Sequence, residues 1–193
     1  MRYAKIIGGT LKGRKICLPQ TSGARPTKSI ACESVFDSLQ NKIAGYAFVE
    51  TFAGSGSVGL EAISRGADSA IFIERDRAVF KLLEQNIAAL NITNAKLFYG
   101  DAFALIASVV GYLESIGKQA WFYFDPPFSI RDGFSDIYEK TQAAIASLSP
   151  TYAAGVIAEH SSNAALNDKL GSFFVAKRRK FGATTLSYYL SEH

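Results

Sequence analysis

Cysteine and histidine are scarce in this 193-residue chain, which has two of each. Cys17 and Cys32 do not form a Cys-x-x-Cys pair. A disulfide framework and a zinc site are therefore not expected, and the thiols read as reduced, as in a cytoplasmic protein. No metal site of any other kind is expected. Of the two histidines, His193 is the last residue and His160 follows Glu159 at the end of an apolar run; neither shows a catalytic partner in the sequence. No stretch approaches 18 consecutive apolar residues, which argues against a membrane-spanning helix and any role in a membrane. The opening Met1-Arg2-Tyr3 lacks an apolar core followed by a small-residue cleavage site, so a signal peptide is not expected. Internal repeats and low-complexity tracts are also missing.

What remains is the composition of an ordinary folded domain. Hydrophobic residues make up 48% and charged residues 20% of the chain, and the mean hydropathy is +0.09. The length suits one α/β domain with a short appendage. The boundary is drawn between a basic extension over residues 1–40 and a main domain over 41–193. A monomer is the expected state. The net charge is +4 and the pI is near 9.0. Basic residues crowd at Arg2, Lys5, Lys12, Arg14 and Lys15, and again from Lys177 to Lys180. Such clusters raise the local concentration of a polyanion before any specific contact forms.

Residues 3–7 and 14–18 read as a hairpin around Gly8, Gly9 and Gly13, followed by a loop and a helix starting near Thr27. Ile30, Ala31, Ser34, Val35 and Leu39 recur at helical spacing and predict its apolar face. From Tyr46 onward, apolar runs alternate with helical stretches. Strands are expected near 46–50, 70–74, 95–99, 121–124 and 153–159. Helices are expected to end at Gly66 and to cover about 76–90, 102–114, 133–148 and 162–170. Two final strands, 172–179 and 184–190, flank Phe181-Gly182 as an antiparallel hairpin at one edge of the sheet. Continuous apolar strands separated by helices predict a mostly parallel sheet built from right-handed β-α-β units.

Three segments carry chemistry. Gly54, Gly56 and Gly59 form a G-x-G-x-x-G turn between the first strand of the sheet and its helix, and Glu74 ends the next strand. Such a loop lets a ligand approach the backbone, and a carboxylate in that place can accept both ribose hydroxyls. The ligand is thus adenosine-containing, with NAD and S-adenosylmethionine both compatible. Glu50 stands just before the loop, where it could meet an ammonium group. Asp101 ends the third strand region, where it can reach an adenine amine or cap a helix. Asp125-Pro126-Pro127-Phe128 follows the fourth strand. Its carboxylate and the Pro126 carbonyl supply two acceptors for the N–H bonds of an exocyclic base amine, and Phe128 offers a stacking face. A nicotinamide enzyme has no use for this segment.

These residues resemble the RsmD-type bacterial ribosomal RNA methyltransferases. The resemblance runs through Ile6-Ile7-Gly8-Gly9, Gly13-Arg14-Lys15, Arg25-Pro26-Thr27, Glu33, Phe36, Phe52-Ala53-Gly54-Ser55-Gly56, Gly59-Leu60-Glu61-Ala62, Ser64-Arg65-Gly66, Glu74, Asp76-Arg77, Asn86, Asp101-Ala102 and Asp125 to Phe128. It implies an α/β, Rossmann-like, seven-stranded S-adenosylmethionine-dependent methyltransferase fold with its last strand antiparallel and a small N-terminal hairpin and helix extension. It also implies transfer of a methyl group to the N2 amine of one guanine in 16S rRNA, within a small-subunit (30S) assembly particle. Glu50, Phe52, Ala53, Gly54, Gly56, Glu74, Arg75, Asp101 and Ala102 are the expected cofactor residues, and Asp125, Pro126, Pro127 and Phe128 the catalytic ones. Lys5, Lys12, Arg14, Lys15 and Arg25 are the expected RNA contacts. The competing functions are a DNA adenine-amine methyltransferase, for which the chain has little room to build a target-recognition region, a nicotinamide-dependent oxidoreductase and a non-catalytic RNA-binding assembly factor.

Overall fold

The structure is a computed structural model, and it describes residues 2–20, 26–40, 42–127 and 136–192. A two-stranded antiparallel hairpin, β1 (Arg2–Lys5) and β2 (Lys15–Leu18), leads into α1 (Pro26–Leu39). Next come β3 (Ala47–Glu50), α2 (Ser57–Ser64), β4 (Ser69–Glu74), α3 (Arg77–Ala89), β5 (Ala95–Tyr99), α4 (Ala102–Ser115) and β6 (Ala120–Phe124). The chain continues through α5 (Ile137–Ala146), β7 (Ala153–Ser161), β8 (Lys169–Leu170), β9 (Phe173–Phe181) and β10 (Thr184–Ser191). The main sheet runs β5-β4-β3-β6-β7-β10-β9-β8. Strands β3 to β7 are mutually parallel, and β10 is antiparallel to both β7 and β9. This is the expected seven-stranded sheet with its last strand antiparallel, and the two-residue β8 is added at the outer edge. The strand order reverses between β3 and β6, and the carboxyl ends of those strands open a crevice where ligands bind in such sheets.

The central strands are buried on both faces, as β3 and β6 show with every residue buried. One face packs against α4 and α5 through Val49, Ile71, Val109, Phe122 and Ile145. On the other, Ala31, Val35, Phe36 and Leu39 of α1 share a core with Phe48, Trp121, Tyr123 and Leu186. Helix α1 begins at Pro26, one residue before Thr27, because proline suits the first helical position, where no N–H donor is needed. Ile30 departs from the expected apolar face and is 52% exposed.

The helix expected over 162–170 does not form. Ser162 and Asn163 make a turn, 165–167 are irregular, and β8 follows. Polar side chains compete with helical hydrogen bonds, and outside partners claim this backbone: Asn167 N–H donates to Gln142, and the Leu166 carbonyl accepts from Arg178. Leu166 and Leu170 are buried in the main core instead.

Buried polar groups fasten the N-terminal hairpin to the domain. The Glu61 carboxylate on α2 accepts the Ile7 N–H (2.7 Å), the Gly8 N–H (2.8 Å) and Arg65 Nε (2.6 Å). Ser64 Oγ accepts the Leu11 N–H and donates to the Gly8 carbonyl, and the Ser64 carbonyl accepts the Thr10 N–H. Gly9 has φ 75°, and a Cβ there would lie 1.8 Å from the Ser64 carbonyl oxygen, so only glycine permits this approach. Asn86 on α3 accepts the Cys17 N–H and donates to the carbonyls of Cys17 and Ser55, tying hairpin, helix and glycine loop at one point.

Candidate active site

The glycine loop is held from below by two carboxylates. The Glu50 side chain, only 3% exposed, accepts the Val58 N–H (3.3 Å) and the Gly59 N–H (2.8 Å) at the start of α2. A carboxylate at a helix N-terminus neutralises unpaired donors and complements the helix dipole. Glu74 accepts the Gly54 N–H (2.8 Å) through one oxygen and the Asp76 N–H (2.7 Å) through the other. Gly59 is required by packing, since a Cβ there would lie 2.4 Å from the Phe72 ring and 3.1 Å from Glu50.

Two clefts meet at this loop. The first, about 680 Å³, is lined by Phe52, Ile73, Glu74, Arg75, Asp101, Ala102, Phe103 and Pro127, with Ile137 and Lys140 closing one side. The second, about 300 Å³, lies under the hairpin and is lined by residues that include Tyr3, Lys5, Glu50, Ala53, Gly54, Tyr123, Asp125 and Glu159. Phe52 borders both and packs edge-on against Phe103 at 5.5 Å. The structure therefore gathers Phe52, Glu74, Arg75, Asp101 and Ala102 in one cleft and Glu50, Ala53, Gly54 and Asp125 in the other. Gly56 lines neither. Its φ of 79° makes the turn, and a Cβ there would press on Leu83. One Asp101 oxygen caps α4 by accepting the Phe103 and Ala104 N–H groups, so capping occurs at the cleft wall. Pro126 is buried behind Asp125. Phe128 and Arg25 lie outside the described residues. Among the described residues no group of three or more metal-ligating side chains forms a site, and no helix is long and apolar enough to cross a membrane.

Sequence reasoning passed over Tyr123 and Glu159. The phenol donates to the Glu159 carboxylate, and both groups are almost fully buried. Burial first, then the charges of Glu159 and Asp125, push the Tyr123 phenol well up, so it stays protonated and remains the donor. Burial, then Glu61 and Glu50, likewise push the Cys32 thiol up, which disfavours the thiolate.

His160 is 3% exposed, with Nδ1 at 3.0 Å from the Ser161 carbonyl and Nε2 at 2.8 Å from Ser187 Oγ. Burial lowers its pKa, the Ser161 carbonyl opposes that, and Arg178 adds to it. The unfolded chain then binds the proton more readily than the native one. This contribution to stability is complete above the unfolded value of about 6.5 and falls as pH drops from there towards the lower native value. Denaturant titrations at pH 7.5 and 5.5 are expected to show a loss in wild type of up to about 1.4 kcal/mol per pH unit from this group, and a smaller loss in His160→Gln. Equal losses in both proteins would remove His160 from the account.

The family model described as Conserved hypothetical protein 95 matches residues 4–190. The chain belongs to this family. Ribosomal RNA small subunit methyltransferase D of Escherichia coli (strain K12) is 40% identical over 124 residues, a stretch spanning 64% of this chain and 60% of that relative. YlbH of Bacillus subtilis (strain 168), provisionally named an rRNA methyltransferase, is 26% identical over 96% of this chain and 97% of its own length. Among solved structures, yhhF of Escherichia coli, provisionally named a methyltransferase, superposes with a TM-score of 0.78 at 27% identity, covering 99% of each chain. The family is the RsmD type that the motifs resemble, and the fold is the Rossmann-like methyltransferase fold.

In this RsmD-type chain Lys5, Lys12, Arg14 and Lys15 are all exposed on the hairpin. Lys5 faces Lys15 across the strands and lines the second cleft. Arg14 also donates to the Ala89 carbonyl at 2.9 Å, and the Lys15 ammonium lies 5.6 Å from the Tyr3 ring centre. The later basic run is largely tied down. Lys177 donates to Ser38 Oγ and lies over the Tyr188 ring, while Arg179 donates to Ser34 Oγ, so both pin α1 to β9. Arg178 points the other way, to Asp168 and the Leu166 carbonyl.

Proposed function

We propose that this protein transfers a methyl group from S-adenosylmethionine to the N2 amine of a guanine in 16S rRNA, presented in a small-subunit assembly particle. The observation that carries this reading is the position of Asp125-Pro126-Pro127, with Asp125 on the cleft beneath the basic hairpin and Pro127 on the cleft of Glu74 and Asp101. The names of the relatives, ribosomal RNA methyltransferases among them, support the same class of reaction.

The first cleft fits the adenosyl part of the cofactor. Its volume lies in the range of small-molecule sites. Glu74 has acceptor capacity for ribose hydroxyls beyond its two backbone bonds, and Phe52, Ile73 and Phe103 supply apolar and aromatic walls for a purine. Glu50, Ala53 and Gly54 would face the amino-acid end. When bound, S-adenosylmethionine supplies an electrophilic methyl group.

The chain's own residues prepare the amine. The Asp125 carboxylate and the Pro126 carbonyl accept its two N–H bonds, which draws the nitrogen lone pair out of conjugation with the ring. Positive charge grows on that nitrogen as the new bond forms, and a preplaced carboxylate favours it more than the neutral ground state. Asp125 can then take the released proton. Lys5, Lys12, Arg14 and Lys15, together with Arg25, would hold RNA phosphates and set the register of the target without reading its base.

The test is transfer from labelled S-adenosylmethionine to under-methylated 30S particles and to free DNA, followed by nucleoside analysis. N2-methylguanosine in the particles supports the reading. Methyladenine in DNA overturns the substrate, and absence of product in both overturns the activity.

A further inference from the structure

The buried pair Tyr123 and Glu159 takes no part in the reaction as described, yet it lines the same cleft as Asp125. Strand register explains the neighbourhood. Glu50, Tyr123 and Ile157 are partners across β3, β6 and β7 and share one face of the sheet. Two residues further on, Asp125 and Glu159 fall on that face again, at the carboxyl ends of adjacent strands. Glu159 is only 4% exposed, yet it lines this cleft. The Tyr123 phenol donates to the Glu159 carboxylate and holds its orientation.

The two adjacent strand ends therefore place two carboxylates side by side on the wall of one cleft. Guanine has two adjacent donors on one edge, the N2 amine and the ring N1–H. Adenine has only an acceptor at ring N1, and a carboxylate facing it would meet a lone pair. We infer that Glu159, oriented by Tyr123, accepts the N1–H of the target guanine while Asp125 holds the N2 amine, and so selects guanine over other purines. Glu159 is on this account the specificity residue and Tyr123 its positioning residue. The inference rests on the guanine reading given above.

The experiment uses small-subunit particles reconstituted with either guanine or 2-aminopurine at the methylated position. 2-Aminopurine keeps the N2 amine but has an acceptor at N1, which the amide of Glu159→Gln can meet with a donor. Wild type should prefer guanine. Glu159→Gln should narrow the guanine-to-2-aminopurine ratio of kcat/KM by about 10- to 100-fold, because a site built around one donor rejects its absence strongly. Its cofactor Kd should stay within about threefold of wild type, as expected if the variant only swaps hydrogen-bonding chemistry at the base. Tyr123→Phe, which keeps the ring, should narrow the ratio by a smaller factor. If Glu159→Gln does not fold, the Tyr123→Phe ratio decides the matter. Wild type that methylates guanine while the folded variants retain its ratio overturns the role of Glu159 and leaves the function standing. Wild type that does not methylate guanine overturns both.

Discussion

Asp125→Asn is expected to lower kcat by roughly 100- to 1,000-fold while leaving cofactor affinity almost unchanged. The magnitude is that of removing one preorganised charge-stabilising group from an active site. The substitution keeps size and shape, so the strand end should not move. It removes the negative charge that faces the nitrogen as it becomes positive, and it can turn an N–H donor towards the amine's own donors. Asp125 also bears on the phenols of Tyr123 and Tyr138, whose pKa values rise first through burial and further through its charge. Single-turnover rates with wild type and variant, beside calorimetric cofactor binding, make the comparison. A rate within tenfold of wild type would sink the proposed chemistry. Equal losses in rate and cofactor affinity would assign Asp125 to binding instead.

Glu61→Ala should give the largest loss of stability, about 3–5 kcal/mol, the usual range for removing one partner of a buried charge network. Glu61 is 2% exposed, and its carboxylate serves two hairpin N–H groups and the Arg65 side chain. Alanine leaves two backbone donors and a guanidinium without their acceptor. For a chain of this size that corresponds to a fall in Tm of roughly 10 °C. Methylation of particles should fall as well, because Lys5 and Lys15 ride on the released hairpin, whereas cofactor affinity should persist. Limited proteolysis should cut first between residues 2 and 20. A melting temperature within about 2 °C of wild type, well under the expected fall, would show that other ties, such as Ser64 and Asn86, suffice to hold the hairpin.

Most strands could be read from the chain because buried parallel strands are continuous apolar runs, as in β6, expected near 121–124 and buried throughout. The segment 162–170 misled for the opposite reason. Gln142 and Arg178 lie outside it in sequence and satisfy its backbone in another conformation. The basic run Lys177 to Lys180 could be read from the chain only as a cluster of charge. Strand alternation, visible only once β9 is placed between β10 and β8, sends Lys177 and Arg179 to α1 and Arg178 to Asp168.

By itself the sequence determined the class of fold, the glycine turn, Glu74 at the end of β4 and the Asp125 segment after β6, because each depends on residues close together in the chain. The tertiary structure alone decided which of these residues share a cleft. It showed Glu50 bonded to the start of α2, Glu61 as the anchor of the hairpin, and Glu159 beside Tyr123, 36 residues away in sequence. Those roles come from strand register and burial, which bring distant carboxylates to one face of the sheet and cannot be expressed in local spacing.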